Sequence, residues 1–156
     1  MLVDAMLEGN GLSELAAEAR ERESAGYDGL WTAETAHDPF FPLLLAAEHT
    51  ERIELGTGIA VAFARNPMTL ANIGNDLQAF SNGRCILGLG SQIKAHIEKR
   101  FSMPWSHPAA RMRELILAMR AIWACWNDER SRPAAFRPRS TAGIVTSLTY
   151  RSVVKP

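Results

Sequence analysis

Four times over, a short apolar segment is followed by a stretch whose apolar residues recur at helical spacing, and this alternation constrains the fold more than any other feature. The strand-like segments start near residues 2, 29, 53 and 85. Strictly alternating strands and helices build a parallel sheet with helices outside it, because parallel neighbours need a crossover long enough to hold a helix. Two architectures satisfy the pattern: an open doubly wound sheet, or part of an eight-stranded barrel. A whole barrel takes roughly 250 residues, so a chain of 156 holds about half of one.

Local signals place the elements. Residues 2–7 form the first strand, Gly9, Asn10 and Gly11 a turn, and the following helix carries Leu12, Leu15, Ala16 and Ala19 on one face, with Ser13 as cap and Gly26 as stop. Residues 29–34 read as the second strand, 39–50 as a helix with proline at its start, and 53–62 as the third strand. Pro67 opens a third helix with Leu70, Ile73, Leu77 and Phe80 on one face, closed by Ser81, Asn82 and Gly83. Residues 84–92 form the fourth strand. The last helix is the most regular, with Met112, Leu115, Ile116, Met119, Ile122, Trp123 and Trp126 on one stripe, a pattern of core packing. Cys85 and Cys125 fall on different elements without metal-ligand spacing, and both read as buried reduced thiols.

Charge divides the chain. All 17 acidic residues lie in residues 1–129 against 11 basic ones, whereas 130–156 hold six basic residues and no acid. That tail has three prolines and one strand-like segment at 143–150. Its arginines are dispersed, with no Lys/Arg cluster and little aromatic interleaving, which argues against a nucleic-acid arm. The longest apolar run, residues 40–47, contains Pro42 and is far shorter than the roughly 20 residues of a membrane span. Asp4 and Glu8 precede the first basic residue, Arg20, so the start lacks a secretory n-region and a cytoplasmic location is expected.

In both architectures ligands bind beyond the carboxyl ends of the strands. Those positions hold Glu34, Thr35, His37 and Asp38 after strand two, Gly56, Thr57, Gly58 and Ile59 in strand three, and Gly88, Gly90, Ser91 and Gln92 in strand four, with Lys94 and His96 following. A carboxylate and two imidazoles at one mouth suit proton transfer. The segment "GLGSQ" lacks the third glycine of a dinucleotide fingerprint and the Gly-Lys-Ser/Thr ending of a phosphate loop. No Cys, His, Asp and Glu set has metal-ligand spacing. The closely spaced Gly56 and Gly58 need a separate explanation, since glycine weakens a strand unless a bulge or a close approach requires it.

The segments "GYDGLWTAE", "IELGTGIAV", "NPMTLA", "GRCILGLGSQ" and "RMRELILAMRAIW", in this order, resemble the N-terminal half of the bacterial luciferase-like flavin oxidoreductases over about residues 1–127. The resemblance implies a (β/α)8 barrel truncated to about its first four units, a flavin-type cofactor (the deazaflavin coenzyme F420 or FMN, with the deazaflavin branch favoured), and hydride transfer or oxygen activation on a small-molecule substrate. It implies a non-prolyl cis peptide at Gly58-Ile59 supporting the ring, and cofactor contacts from Glu34, Ser91 and His96. Some deazaflavin-dependent relatives place a catalytic glutamate where this chain has Ile93, so the catalytic acid is unassigned. Residues 128–156 depart from the family pattern and are expected to be a divergent, poorly ordered tail on a truncated chain of impaired activity. The half-barrel edges would then favour a homodimer. A non-catalytic α/β association module on the same scaffold is the alternative.

Overall fold

The computed structural model describes residues 1–8 and 11–128. The turn at Gly9 and Asn10, the basic tail from residue 129 and its strand-like segment lie outside them. In chain order the elements are β1 (Asp4–Met6), α1 (Leu12–Ser24), β2 (Gly29–Thr32), α2 (Phe40–His49), β3 (Glu54–Thr57) and β4 (Ala60–Val61). A 3-10 turn (Ala62–Ala64) leads to α3 (Pro67–Phe80), β5 (Cys85–Ile86), β6 (Leu89–Gly90), α4 (Lys94–Arg100) and α5 (Pro108–Asn127).

The main sheet is parallel, in the order β1-β2-β3-β5. Each strand therefore lies beside its predecessor, with no reversal of the kind a doubly wound sheet requires. β4 and β6 form a second parallel pair, with Ala60 opposite Leu89 and Val61 opposite Gly90. They continue β3 and β5 past two kinks. The third and fourth strands, expected as continuous segments, are each broken in two, and the second stops at Thr32 rather than Glu34. The physical reason is cross-bonding at the kinks: Glu34 donates its N–H to Ile59 O rather than extending the main ladder.

Helices α1, α2, α3 and α5 cover one face of the sheet in chain order, and Leu30, Leu55, Leu43, Leu70 and Met119 fill the space between. Each such buried side chain is worth about 1.5–3 kcal/mol of transfer free energy. Strand alternation sends Trp31 and Gly56 to the opposite, inward face. Asn66 caps α3, its side-chain oxygen accepting the Thr69 N–H at 2.8 Å, and Pro67 follows it as expected. Trp123 donates its indole N–H to Ala71 O at 3.0 Å and pins α5 to α3.

Two expectations are corrected. Ser13 does not cap α1; Gly11, extended at φ −179°, occupies that position, and Ser13 already lies inside the helix. Cys125 is exposed, because it falls off the stripe of Leu115, Met119 and Trp123 that faces α3. Cys85 is buried, and burial pushes its thiol up to about 11.

Candidate functional site

The carboxyl ends of β2, β3 and β5 meet at two kinks in the main chain. The first is the Gly58-Ile59 bond, a non-prolyl cis peptide. The end of β2 and the segment just after it hold it from both sides: Gly58 N donates to Thr32 O at 2.6 Å, and Ile59 O accepts from Glu34 N at 3.2 Å. The second kink, at Gly88, is tied to the first by one hydroxyl. Thr57 Oγ1 donates to Gly88 O at 2.7 Å and accepts from Gly88 N at 2.9 Å, while Ala60 N also donates to Gly88 O. Gly88 cannot carry a side chain, since a Cβ there would lie 2.0 Å from Thr57 O.

Glycines clear the surroundings of the joint. A Cβ on Gly90 would meet Ile59 Cδ1 at 2.6 Å, so the Ile59 side chain lies across bare main chain of β6. A Cβ on Gly58 would have only Trp31 Cε3 within 4 Å, at 3.7 Å, so the space over this peptide is open. The result is exposed main chain at Gly58, beside the sheet mouth. Exposed main chain of this kind offers a ligand peptide groups rather than side chains.

Glu34 stands beside the joint, but its carboxylate turns away from it. Glu34 Oε2 accepts from Val61 N at 2.7 Å and from Arg65 Nη1 at 2.6 Å, and its side chain is only 5% exposed. Arg65 also donates to Val61 O at 3.1 Å and to Asp38 Oδ2 at 3.0 Å. Burial works against the Arg65 charge, yet the Glu34 and Asp38 carboxylates more than offset it and hold its pKa above the ordinary value. Asp38 in turn accepts the Phe40 N–H at 2.8 Å and anchors the start of α2. The clamp therefore locks the end of β2, the segment after the joint and the start of α2 into one unit.

The remaining sequence candidates are spread more widely. Ser91 follows β6 directly, its Oγ 3.2 Å from Gln92 O. His96 lies exposed on α4, with Nδ1 3.2 Å from Gln92 Oε1. His37 is exposed on the loop before α2. The structure thus brings Glu34, Gly58 and Ile59 together, places Ser91 one residue beyond the glycine under Ile59, and leaves His96 at the rim. Sequence reasoning missed Arg65, and it named Thr57 at the mouth without its bridging role. Arg65 carried a readable signal, as the lone charge in the apolar stretch "IAVAFARNP". Among the described residues no group of three or more His, Cys, Asp or Glu is placed to hold a metal ion.

The family model for luciferase-like monooxygenases matches residues 2–149. An uncharacterised protein of Mycobacterium tuberculosis is 67% identical over 119 residues, covering 76% of this chain and 35% of its own length. A putative coenzyme F420-dependent oxidoreductase of the same organism is 37% identical over 137 residues, covering 87% of this chain and 39% of its own. Among solved structures, the FMN complex of the oxygenating constituent of 3,6-diketocamphane monooxygenase from Pseudomonas putida superposes with a TM-score of 0.71 at 18% identity, covering 80% of this chain and 41% of that one. That likeness concerns fold, and it makes the sequential parallel sheet a part of a (β/α)8 barrel. The chain spans between 35% and 39% of the length of these two curated relatives.

Proposed function

Because the chain belongs to the luciferase-like monooxygenase family, we propose that it carries the ring-binding part of an oxidoreductase that uses FMN or the deazaflavin coenzyme F420. The observation that carries this reading is the open main-chain joint at Gly58-Ile59, held on both sides by the end of β2 and the segment just after it and cleared by glycine. The relatives support the choice of cofactors: one is named for coenzyme F420 and one solved neighbour is an FMN complex. When bound, the cofactor supplies the hydride or oxygen chemistry itself, acting on a small-molecule substrate. The chain's own residues orient the ring and keep its surroundings rigid.

In this reading Gly58 and Ile59 support the ring, Ser91 and His96 contribute polar contacts from the β6 side, and Glu34 acts through the Arg65 clamp that shapes the pocket wall. Among the described residues, the two acids at this mouth, Glu34 and Asp38, are both tied to Arg65. Neither is positioned as a free proton donor, so turnover by this chain alone is slow. The residue that handles the proton is not among those assigned. The chain also pairs with a second copy through the edges of its sheet.

Titration of oxidised FMN and of the deazaflavin coenzyme into purified protein, followed by the ring's own fluorescence, tests the reading. Saturable binding of either at micromolar concentration is expected. Failure of both to bind favours the non-catalytic association module.

A further inference from the structure

One side chain accounts for two glycines on the inward face of the sheet. Register places Trp31 beside Gly56 and Met6, and Asp4 beside Gly29 one level below. The indole of Trp31 lies across Gly56, where a Cβ would stand 2.3 Å from Cζ3 and 2.5 Å from Cε3. Its Nε1–H donates to Asp4 Oδ2 at 2.9 Å. Asp4 rests in turn on Gly29, where a Cβ would meet Oδ1 at 2.7 Å.

Asp4 is 7% exposed, and its second oxygen, Oδ1, has no partner among the described residues. A buried carboxylate with one unsatisfied oxygen is costly to keep. The single bond it makes among the described residues goes to the indole. The opposite edge of that indole reaches the joint, with Cε3 3.7 Å from the Cβ position of Gly58, and Trp31 is only partly buried. An electron-rich ring is thus fixed in orientation immediately beside the open peptide, by a carboxylate that sits where only glycine leaves room.

We infer that Trp31 is a specificity-determining contact for a planar, electron-poor aromatic ligand resting on the Gly58-Ile59 joint, and that Asp4 is the positioning residue that fixes the indole's tilt. The inference rests on the ring-cofactor reading above and deepens it. A ring that touches the indole has its excited state quenched by electron transfer from it, so the bound ring is dark. Side chains that merely fill the sheet interior leave no such signature.

The test uses the full chain, with oxidised FMN and the deazaflavin coenzyme as probes. Affinity is measured by equilibrium dialysis and the fluorescence of the bound ring is measured separately. Trp31→Phe keeps an aromatic group but removes the indole; it is expected to weaken binding about 2- to 12-fold, the range of an aromatic pair contact, and to brighten the bound ring. Asp4→Leu is expected to do the same with Trp31 intact. Asp4→Asn retains an oxygen that accepts from Nε1–H and is expected to restore both affinity and darkness. Circular dichroism checks the fold of each variant; if Asp4→Leu does not fold, the comparison of Trp31→Phe with Asp4→Asn decides the matter. Wild-type binding with unchanged affinity and unchanged bound-ring fluorescence in Trp31→Phe overturns this inference and leaves the cofactor reading standing. Failure of the wild type to bind either ring overturns both.

Discussion

Glu23, at the end of α1, shows how one side chain can join two units. Its Oε1 accepts from the backbone N–H groups of Arg52 at 2.7 Å, Ile53 at 2.9 Å and Glu51 at 3.0 Å, gathering the donors that precede β3. Burial acts to raise its pKa, but these three backbone bonds outweigh it and hold the carboxyl below its ordinary 4.5. A carboxyl whose folded pKa lies below its unfolded one stabilises the fold above the unfolded value, and that contribution is lost as pH falls through the folded value. Glu23→Gln should therefore melt below the wild type at neutral pH. The gap should close on acidification through the ordinary carboxylate range, as read by thermal melts in parallel at each pH. Cysteine gives a second test at this scale. Cys125 is exposed, whereas burial raises the Cys85 thiol to about 11, so a thiol reagent at neutral pH should label Cys125 rapidly and Cys85 only on unfolding. Mass spectrometry of the labelled peptides checks it. The exposure of Cys125 was legible in the sequence, because residue 125 falls off the spacing of Leu115, Met119 and Trp123; burial inferred from residue type alone overrode that spacing.

Between elements, the Arg65 clamp is the contact on which the shape of the mouth depends most. Its cation comes from the segment after β4 and the Glu34 carboxylate from the segment after β2, 31 residues apart, with side chains 14% and 5% exposed. Removing one partner leaves the other buried and uncompensated, which typically costs about 3–5 kcal/mol. Arg65→Met should lose stability on that order in chemical denaturation. The double variant Arg65→Met with Glu34→Gln should recover part of the loss, the signature of a coupled pair rather than two separate defects. The helices and their termini were readable from period and punctuation, as at Asn66 and Pro67, because those signals act within a few residues. The break at Gly88 was not readable from local propensity alone, since it is bound up with Thr57 bridging two strands, whereas Gly58 was visible as a bulge signal. Glu34 lies beside the joint, and the orientation of its carboxylate follows from a partner far away in sequence. Gly56 was visible as an anomaly, and its cause, the indole of Trp31 lying over it, is a cross-strand contact that no linear pattern reports.

At the scale of the molecule, alternation gave a parallel sheet but left open the choice between open sheet and barrel, because both use the same local periods; the resemblance favoured the barrel. Strand order supports the same choice: β1-β2-β3-β5 runs sequentially, and family membership with the shared fold makes it part of a (β/α)8 barrel. Within the described residues that arc has two edges, β1 and β5, and an inward face on which Met6, Trp31 and Ile86 remain partly open. An unpaired strand edge beside apolar surface is a template for association. A second copy that pairs with these edges would satisfy their backbone groups and cover Met6 and Ile86, while the mouth at Gly58 stays accessible to a ring. Sedimentation at micromolar concentration should then give twice the 17.2 kDa of one chain. Met6→Glu, which puts a charge on the inward face at the β1 edge, should shift the equilibrium toward the single chain without unfolding it, because Met6 is only partly buried. A monodisperse single chain at every concentration, in wild type and variant alike, would show that these edges are covered in some other way.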